Sequence, residues 1–268
     1  MLKDITLGQF FPGKSVVHRL DPRTKLVMLI VYIVALFVAK DWVGYGVMFL
    51  FLASSVAISR IPLKALLRGM KPLMIILIFT GMLNLFFTAG EHALVSFWGI
   101  TIYWEGLERA AMMILRILML ISGTFLLTYT TSPIALTDGL ESLLKPLKVI
   151  KVPVHELSMM MCIALRFIPT LIEETDKIMS AQKARGADFE SGKLLERVKA
   201  LIPILVPLFI SAFRRADELA TAMECRCYQG GEGRTKMKLL RYRYIDFVCY
   251  GVGVLLLAGV ITLNIFGL

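Results

Sequence analysis

Charged and metal-ligating side chains are scarce in this chain of 268 residues. Only 19% of the residues are charged, there are three histidines, and the four cysteines show no framework spacing, so we expect reduced thiols. His155 and Glu156 lack the second histidine of an H-E-x-x-H zinc site. The Cys225 and Cys227 pair has no second cysteine pair or nearby histidine, and we interpret both cysteines as incidental. With no paired carboxylates or nucleophile and base at useful spacing, the sequence indicates no catalytic residue, metal or cofactor.

The context of a phosphate-binding loop is also missing, although Gly8–Ser15 matches the P-loop pattern G-x-x-x-x-G-K-[ST] letter for letter. A P-loop needs a buried strand before its turn and a helix after it. The seven preceding residues are too few for an interior strand, and Pro22 interrupts any helix that grows from Ser15. We interpret this stretch as a turn-rich cytoplasmic arm.

Apolar residues, in contrast, are abundant. They make up 57% of the chain, and the mean hydropathy is +0.73. This composition predicts an all-α membrane protein with about five transmembrane helices and long cytoplasmic amphipathic helices. The apolar stretches that predict the five crossings are Leu26–Ala39, Val43–Ile58, Pro72–Phe87, Ala110–Thr130 and Ile245–Leu268.

The distribution of lysine and arginine predicts the orientation in the membrane. The N-terminal arm and the link between the second and third crossings are basic, whereas three glutamates lie between the third and fourth crossings. We therefore expect the N-terminus and the insert 131–244 to be cytoplasmic and the C-terminus to be outside. The predicted organisation is an arm with four crossings (1–130), this insert (131–244) and a final crossing (245–268).

Arg116 lies inside the fourth predicted crossing, where an unpartnered charge is costly. It either lines a substrate or proton path, or it faces the helix bundle or reaches an interface. We favour the second interpretation because no acidic residue lies deep in a predicted crossing to relay protons. A self-contained ion-driven transporter, the alternative function, would need such a site.

The insert is predicted to be helical. Ser132 and Pro133 begin a short amphipathic helix that Pro146 ends. A long helix follows from Pro153 to Gly186, and a second one covers Lys193–Cys227. In each long segment an apolar half precedes a charged half that ends at an arginine.

The ends of the two long helices resemble each other at an offset of 41 residues. There "DKIMSAQKARG" aligns with "DELATAMECRC", which places Arg185 over Arg226. One arginine in a last helical turn is ordinary capping chemistry. Because the arginine occurs twice in the same setting, we interpret both guanidinium groups as docking tips for carboxylates and carbonyls of a partner.

The apolar halves, Leu157–Ile172 and Leu201–Phe213, are barely long enough to cross a membrane, and we expect them to pack against protein. Their surfaces predict a partner interface or mutual packing. The three methionines Met159, Met160 and Met161 suit either an adaptable partner surface or core filling.

At these residues the sequence resembles the T component (EcfT) of energy-coupling factor (ECF) transporters, the vitamin and metal importers of prokaryotes. The resemblance covers nearly the full chain and rests on the arm "PGKSVVHRLDPRTKL", the membrane crossings and two arginine motifs. The motifs are "ARG" (Ala184, Arg185, Gly186) and "CRC" (Cys225, Arg226, Cys227). The second departs from the family pattern, which usually has small residues such as alanine and glycine where the cysteines stand.

The resemblance implies a non-catalytic scaffold in the cell membrane that joins two cytoplasmic ABC ATPase subunits to a separate substrate-binding membrane subunit. Both arginine motifs would dock into the ATPases. The substrate-binding subunit, which would select a vitamin or metal, would contact an apolar set comprising Met159, Met160, Met161, Leu205 and Phe209. Besides these subunits and the lipid bilayer we expect no partner, and in particular no nucleic acid.

Overall fold

The computed structural model describes residues 10–88, 93–97, 100–187, 189, 194–231 and 239–266. The α-helices in this part are α1 (Val16–Arg19), α2 (Pro22–Val38), α3 (Trp42–Ser59), α4 (Leu63–Met70), α5 (Met74–Phe87), α6 (Trp104–Thr130), α7 (Pro133–Leu144), α8 (Val154–Ala184), α9 (Leu194–Glu224) and α10 (Tyr244–Phe266). The prediction of an all-α membrane protein is confirmed. One addition is a short antiparallel hairpin before α6, β1 (Ala93–Phe97) and β2 (Ile100–Tyr103), which the sequence analysis did not predict.

In the described part, five helices are long and apolar enough to cross a membrane, which is the predicted number. Four of them match predicted crossings and one does not. They are Trp42–Ser59, Leu63–Phe87, Trp104–Thr130, Val154–Ala184 and Tyr244–Phe266. The predicted first crossing corresponds to α2, which has only 17 residues, at the lower limit of length for a span. In its place stands α8, whose first half is apolar on nearly every side.

The chain divides into two compact units. The membrane unit comprises residues 8–142 and 240–268, and the two-helix unit comprises residues 143–239 together with 1–7, which lie outside the described residues. The domain limits predicted from the sequence stay a prediction.

The core of the membrane unit lies where α2, α3, α6 and α10 meet. Tyr32 and Leu36 of α2, Met48 of α3 and Met119 of α6 are buried there, and so is Val260 of α10. Helices α2 and α10 pack closely at Gly253, where an added Cβ would lie 2.7 Å from the sulfur of Met28. Burial of these side chains supplies the main favourable packing of the unit.

Arg116 on α6 faces the interior of the membrane unit. Its Nη2 donates a hydrogen bond of 3.2 Å to the carbonyl oxygen of Ala39, at the C-terminal end of α2. The guanidinium also lies over the rings of Phe37 and Tyr45, each at 5.6 Å. These contacts agree with the favoured interpretation of an arginine that faces the bundle, and they neutralise the negative end of the α2 dipole.

A polar cluster joins the start of α2 to the start of α10 and the end of α6. The buried carboxylate of Asp246 accepts hydrogen bonds from the backbone N–H groups of Asp21 (2.9 Å) and Arg243 (2.7 Å). Lys25 Nζ donates to the carbonyl oxygen of Thr130 at 2.9 Å. Backbone groups at the start of α2 and the end of α6 therefore find partners far away in the sequence, and the start of α10 is capped by its own Asp246.

The described part of the P-loop-like stretch folds around a histidine ring. His18 Nε2 donates to the carbonyl oxygen of Phe11 (3.0 Å), and Ser15 Oγ donates to His18 Nδ1 (2.7 Å). The ring lies so close to Gly13 that an added Cβ would come within 2.7 Å of it. The concave side of this turn holds an imidazole, in line with the interpretation as an arm.

We expect Asp246→Ala to lower the apparent Tm of the detergent-solubilised protein by about 5 °C. The buried N–H group of Asp21 and the partly buried N–H group of Arg243 would lose their acceptor, at about 1–3 kcal/mol for an unsatisfied buried group. Asp41→Ala is the matched control, because the Asp41 side chain makes no capping hydrogen bond at α3. Equal Tm values for the two variants, measured by differential scanning fluorimetry, would contradict the assigned role of Asp246.

Candidate functional site: two arginine-tipped helices

Helices α8 and α9 of the two-helix unit pack against each other in antiparallel directions. Near the end of α8, Gln182 Nε2 donates to the carbonyl oxygen of Pro203, close to the start of α9 (3.3 Å). Near the start of α8, the ring of His155 lies against Gly231, beyond the end of α9. The C-terminal tips of the two helices therefore lie at opposite ends of the pair.

Glu174 connects the middle parts of the two helices. Its carboxylate accepts a hydrogen bond from Ser211 Oγ and forms an ion pair of 2.9 Å with Arg215 Nη2. Glu174 and Arg215 are also separated by 41 residues, the offset that aligns the two arginine motifs. In an antiparallel pair of equivalent helices, a residue meets its own equivalent only at the two-fold axis that relates them. The ion pair therefore marks the axis of an approximate internal symmetry.

The two tips are equally far from this axis. Arg185 follows Glu174 by eleven residues, and Arg226 follows Arg215 by eleven residues. At 1.5 Å per residue, each tip lies about 16 Å along its helix from the ion pair. Measured along the helices, the two equivalent arginines are therefore separated by about 33 Å, with the ion pair midway between them.

Arg185 occupies the C-cap of α8 and is followed by a left-handed residue, Gly186, with a φ of +89°. The N–H of Gly186 donates to the carbonyl of Lys183 (3.0 Å), and the N–H of Ala187 donates to the carbonyl of Gln182 (3.0 Å). These two bonds define a Schellman motif. They fix the backbone that carries the Arg185 side chain, which is exposed.

Arg226 occupies the same position at the end of α9. Cys227 has a φ of +56°, its N–H donates to the carbonyl of Glu224 (2.8 Å), and the N–H of Tyr228 donates to the carbonyl of Met223 (3.1 Å). The second motif therefore has the same cap as the first, although a cysteine stands where the first has glycine. Arg226 is exposed as well.

The motif residues predicted from the sequence thus divide by role. Ala184, the last residue of α8, and Cys225, the first residue after α9, are exposed and precede the two arginines, and Gly186 and Cys227 reverse the chain after them. Among the described residues, no acidic side chain forms an ion pair with either arginine of the motifs. The guanidinium groups are presented to the surroundings of the two-helix unit.

The apolar half of α9 carries a stripe of exposed large side chains. Phe209 is 61% exposed and Phe213 is 68% exposed within the described structure. The full set, called the α9 stripe below, is Leu201, Ile202, Leu205, Val206, Phe209, Ile210 and Phe213. Such a continuous apolar surface is typical of an interface with protein or lipid.

The methionines predicted on α8 are less uniform. Met160 and Met161 are exposed, whereas Met159 is half-buried. Sequence reasoning predicted an apolar surface over Leu201–Phe213, which contains the α9 stripe, but it missed the Glu174 contact. The 41-residue offset was a usable signal for Glu174, because the same alignment that pairs the arginines places Arg215 opposite it.

The fold and this site define a multi-pass helical membrane protein with two exposed, arginine-tipped helices. Residues 13–237 match the CbiQ family, described as cobalt transport protein. A relative from Ruminiclostridium cellulolyticum, named energy-coupling factor transporter transmembrane protein EcfT, is 52% identical over 98% of both chains. Relatives of the same name from Heliobacterium modesticaldum (56% identical over 90% of both chains) and Bacillus subtilis (50% identical over 90% of this chain and 91% of the relative) are also similar. The chain therefore belongs to the EcfT family, the transmembrane components of energy-coupling factor transporters.

The two caps should respond in opposite ways to substitution. Gly186→Ala places a Cβ in a left-handed conformation, at a cost of about 1 kcal/mol, and should speed amide exchange at the end of α8 about fivefold. Cys227→Gly removes the same strain and should leave exchange at the end of α9 unchanged or slower. Hydrogen-exchange mass spectrometry of the two terminal peptides measures both effects.

Cys225→Ala is the control for the second cap, because Cys225 still donates to the carbonyl of Thr221 in the regular helical pattern. It should not change exchange at the end of α9. Faster exchange in Cys227→Gly would show that Cys227 stabilises this cap through its side chain, against the assignment made here.

Proposed function

We propose that the chain is the scaffold of an ATP-driven importer, in which Arg185 and Arg226 dock into two cytoplasmic ABC ATPase subunits. The observation that carries the proposal is the equivalence of the two tips. Both arginines occupy a C-cap, both precede a left-handed residue and both are exposed. Two equivalent tips at opposite ends of the helix pair suit two similar partners, one at each end.

The ion pair of Glu174 with Arg215 suggests how motion would be transmitted. When the ATPases close on ATP, the grooves that hold the two tips approach each other. The helices then turn against each other about their contact near Glu174, and their apolar halves move with them. The coupling requires two arrangements of one stiff element rather than a chain of small side-chain shifts. The chain itself would hydrolyse no ATP.

The α9 stripe is the surface we assign to the substrate-binding membrane subunit. It contains the predicted contacts Leu205 and Phe209, and the exposed Met160 and Met161 add a second apolar surface on α8. A partner embedded in lipid would cover such side chains at low cost, because it offers apolar surface of its own. The partner would select the vitamin or metal that is imported.

The same proposal includes the orientation. The N-terminus and the two-helix unit would be cytoplasmic, in a bacterial cell or inner membrane, and the C-terminus outside. The basic residues Arg60, Lys64 and Arg68, at the end of α3 and on α4, would then face the cytoplasm together with the arm. The alternative of a stand-alone secondary transporter is less well supported, because Arg116 is already engaged by Ala39, Phe37 and Tyr45.

The equivalence of the tips leads to a stoichiometric prediction. Arg185→Ala and Arg226→Ala should each reduce the ATPases retained on the purified chain from two to one, and the double variant should retain none. ATP-driven uptake should fall by at least about tenfold in each single variant, since one arginine hydrogen-bonded to a charged partner is worth about 1.5–3 kcal/mol. Native mass spectrometry counts the subunits.

Arg214→Ala is the matched control, because Arg214 is an exposed arginine on α9 that pairs with Glu218 one turn away. It should retain two ATPases. If both single variants kept two ATPases and full uptake, the docking role of the tips would be wrong.

The stripe should act independently of the tips. We expect Leu205→Ser with Phe209→Ser to release the substrate-binding subunit while two ATPases remain bound, because only apolar contact area is lost. Ala220→Ser, at an exposed position in the charged half of α9, is the control. Co-purification measures both partners, and loss of the ATPases alone would contradict this assignment.

A further inference from the structure

The membrane unit contains an apolar cleft that the proposed function does not use. The cleft has a volume of about 240 Å³ and lies between α1, α2, α3, α6 and α10. Its inner wall includes the buried side chains of Met28, Tyr32 and Leu52, together with Gly123. An added Cβ at Gly123 would lie 2.9 Å from the Tyr32 ring, so the wall is closely packed at that point.

The exposed residues of the lining form the mouth of the cleft. They are Val16 of α1, Ile58 of α3, and Ile245 and Val248 of α10. Ile58 is near the C-terminal end of α3, and Ile245 is near the N-terminal end of α10. The mouth therefore opens between two membrane-spanning helices at one surface of the membrane, and the cleft runs from there toward the interior.

Just outside the helices that carry Val16, Ile58 and Ile245, the chain has one cation two residues from each of these mouth residues. Lys14 precedes Val16 by two residues, Arg60 follows Ile58 by two residues, and Arg243 precedes Ile245 by two residues. All three residues are exposed. The three cations flank the start of α1, the end of α3 and the start of α10, where lipid headgroups would meet the ends of the two membrane-spanning helices.

We propose that this cleft binds one acyl chain of an anionic phospholipid, whose phosphate is held by Lys14, Arg60 and Arg243. An acyl chain is the most available occupant, because the cleft is apolar and opens to a bilayer whose interior consists of acyl chains. The three cations add the selection for a negatively charged headgroup. The bound lipid would fill the space between α3 and α10 and hold α1 against them.

Lys25 also lines the cleft, but it does not take part in headgroup binding. Its Nζ donates to the carbonyl oxygens of Thr130 (2.9 Å) and His18 (3.4 Å) and to Thr131 Oγ1 (3.1 Å). These three acceptors satisfy the three protons of the ammonium group. Only its aliphatic part remains to contact the chain of a lipid.

The test uses the full chain in phosphatidylcholine vesicles that contain a little phosphatidylglycerol with a photoactivatable group on its acyl chain. After illumination, mass spectrometry should locate adducts in the peptides that cover Phe51–Ile58 and Gly123–Thr130. The triple variant Lys14→Gln, Arg60→Asn, Arg243→Gln should reduce this capture by about a hundredfold, since each of the three cations contributes about a fivefold preference for the headgroup. Asparagine is chosen at Arg60 because this residue has a φ of 58°.

The matched control removes three charges from the basic link beyond α3, with Lys64→Gln, Arg68→Gln and Lys71→Gln. It should change the capture less than twofold. Ser55→Trp, which fills the cleft from its lining, should reduce capture whatever the headgroup. Size-exclusion chromatography checks that Ser55→Trp folds. If it does not fold, the comparison of the two triple charge variants tests the proposal.

Three results would overturn the proposal: equal capture of a phosphatidylcholine analogue with the same acyl chain, unchanged capture by the first triple variant, or adducts that avoid the two peptides. A photoreactive residue at position 55 gives a further test. If it formed adducts with a partner helix and none with lipid, protein would cover the cleft, and the proposal would be wrong.

Discussion

The ion pair between Glu174 and Arg215 is the interaction on which the geometry of the two-helix unit depends. It joins equivalent positions of two similar helices, and in an antiparallel pair that condition is met only at their shared axis. The separation and opposite direction of the two arginine tips follow from it. A half-exposed ion pair contributes little to the free energy of folding. Its effect is on register: if α9 slid by one turn, Glu174 would lose Arg215 and the separation of the two tips would change by about 5 Å.

A different constraint orders the membrane unit. Hydrocarbon cannot solvate the free carbonyl and N–H groups at helix ends, so these groups need partners inside the protein. The few charged side chains near the crossings supply them. Arg116 reaches the end of α2, Lys25 reaches the end of α6, and Asp246 accepts N–H groups at the starts of α2 and α10. A low content of charge therefore does not mean that charge is unimportant, because each of these residues joins helices that are distant in the sequence.

The parts of the structure that could be predicted from the sequence are those determined by local pattern. Apolar runs located most crossings, and the long helices of the insert begin and end within a few residues of their predicted limits. Contacts between helices could not be predicted, because the spacing of side chains within one helix does not show which other helix they contact. Hence Asp246, a single acid after a basic stretch, gave no sign of its contact with Asp21. The hairpin before α6 was missed since its nine or so residues lie in a segment read only for its charge.

The cysteine in the second arginine motif shows what a motif comparison measures. Glycine is favoured after a helix C-cap because it adopts a positive φ without strain, and a cysteine there suggests an altered turn. Yet Cys227 adopts the same left-handed conformation as Gly186, at a cost of about 1–2 kcal/mol. The two bonds of the Schellman motif and the exposed position of Arg226 are kept despite this cost. What the two ends share is thus the backbone conformation of the cap and an exposed arginine, although the residue in the left-handed position differs.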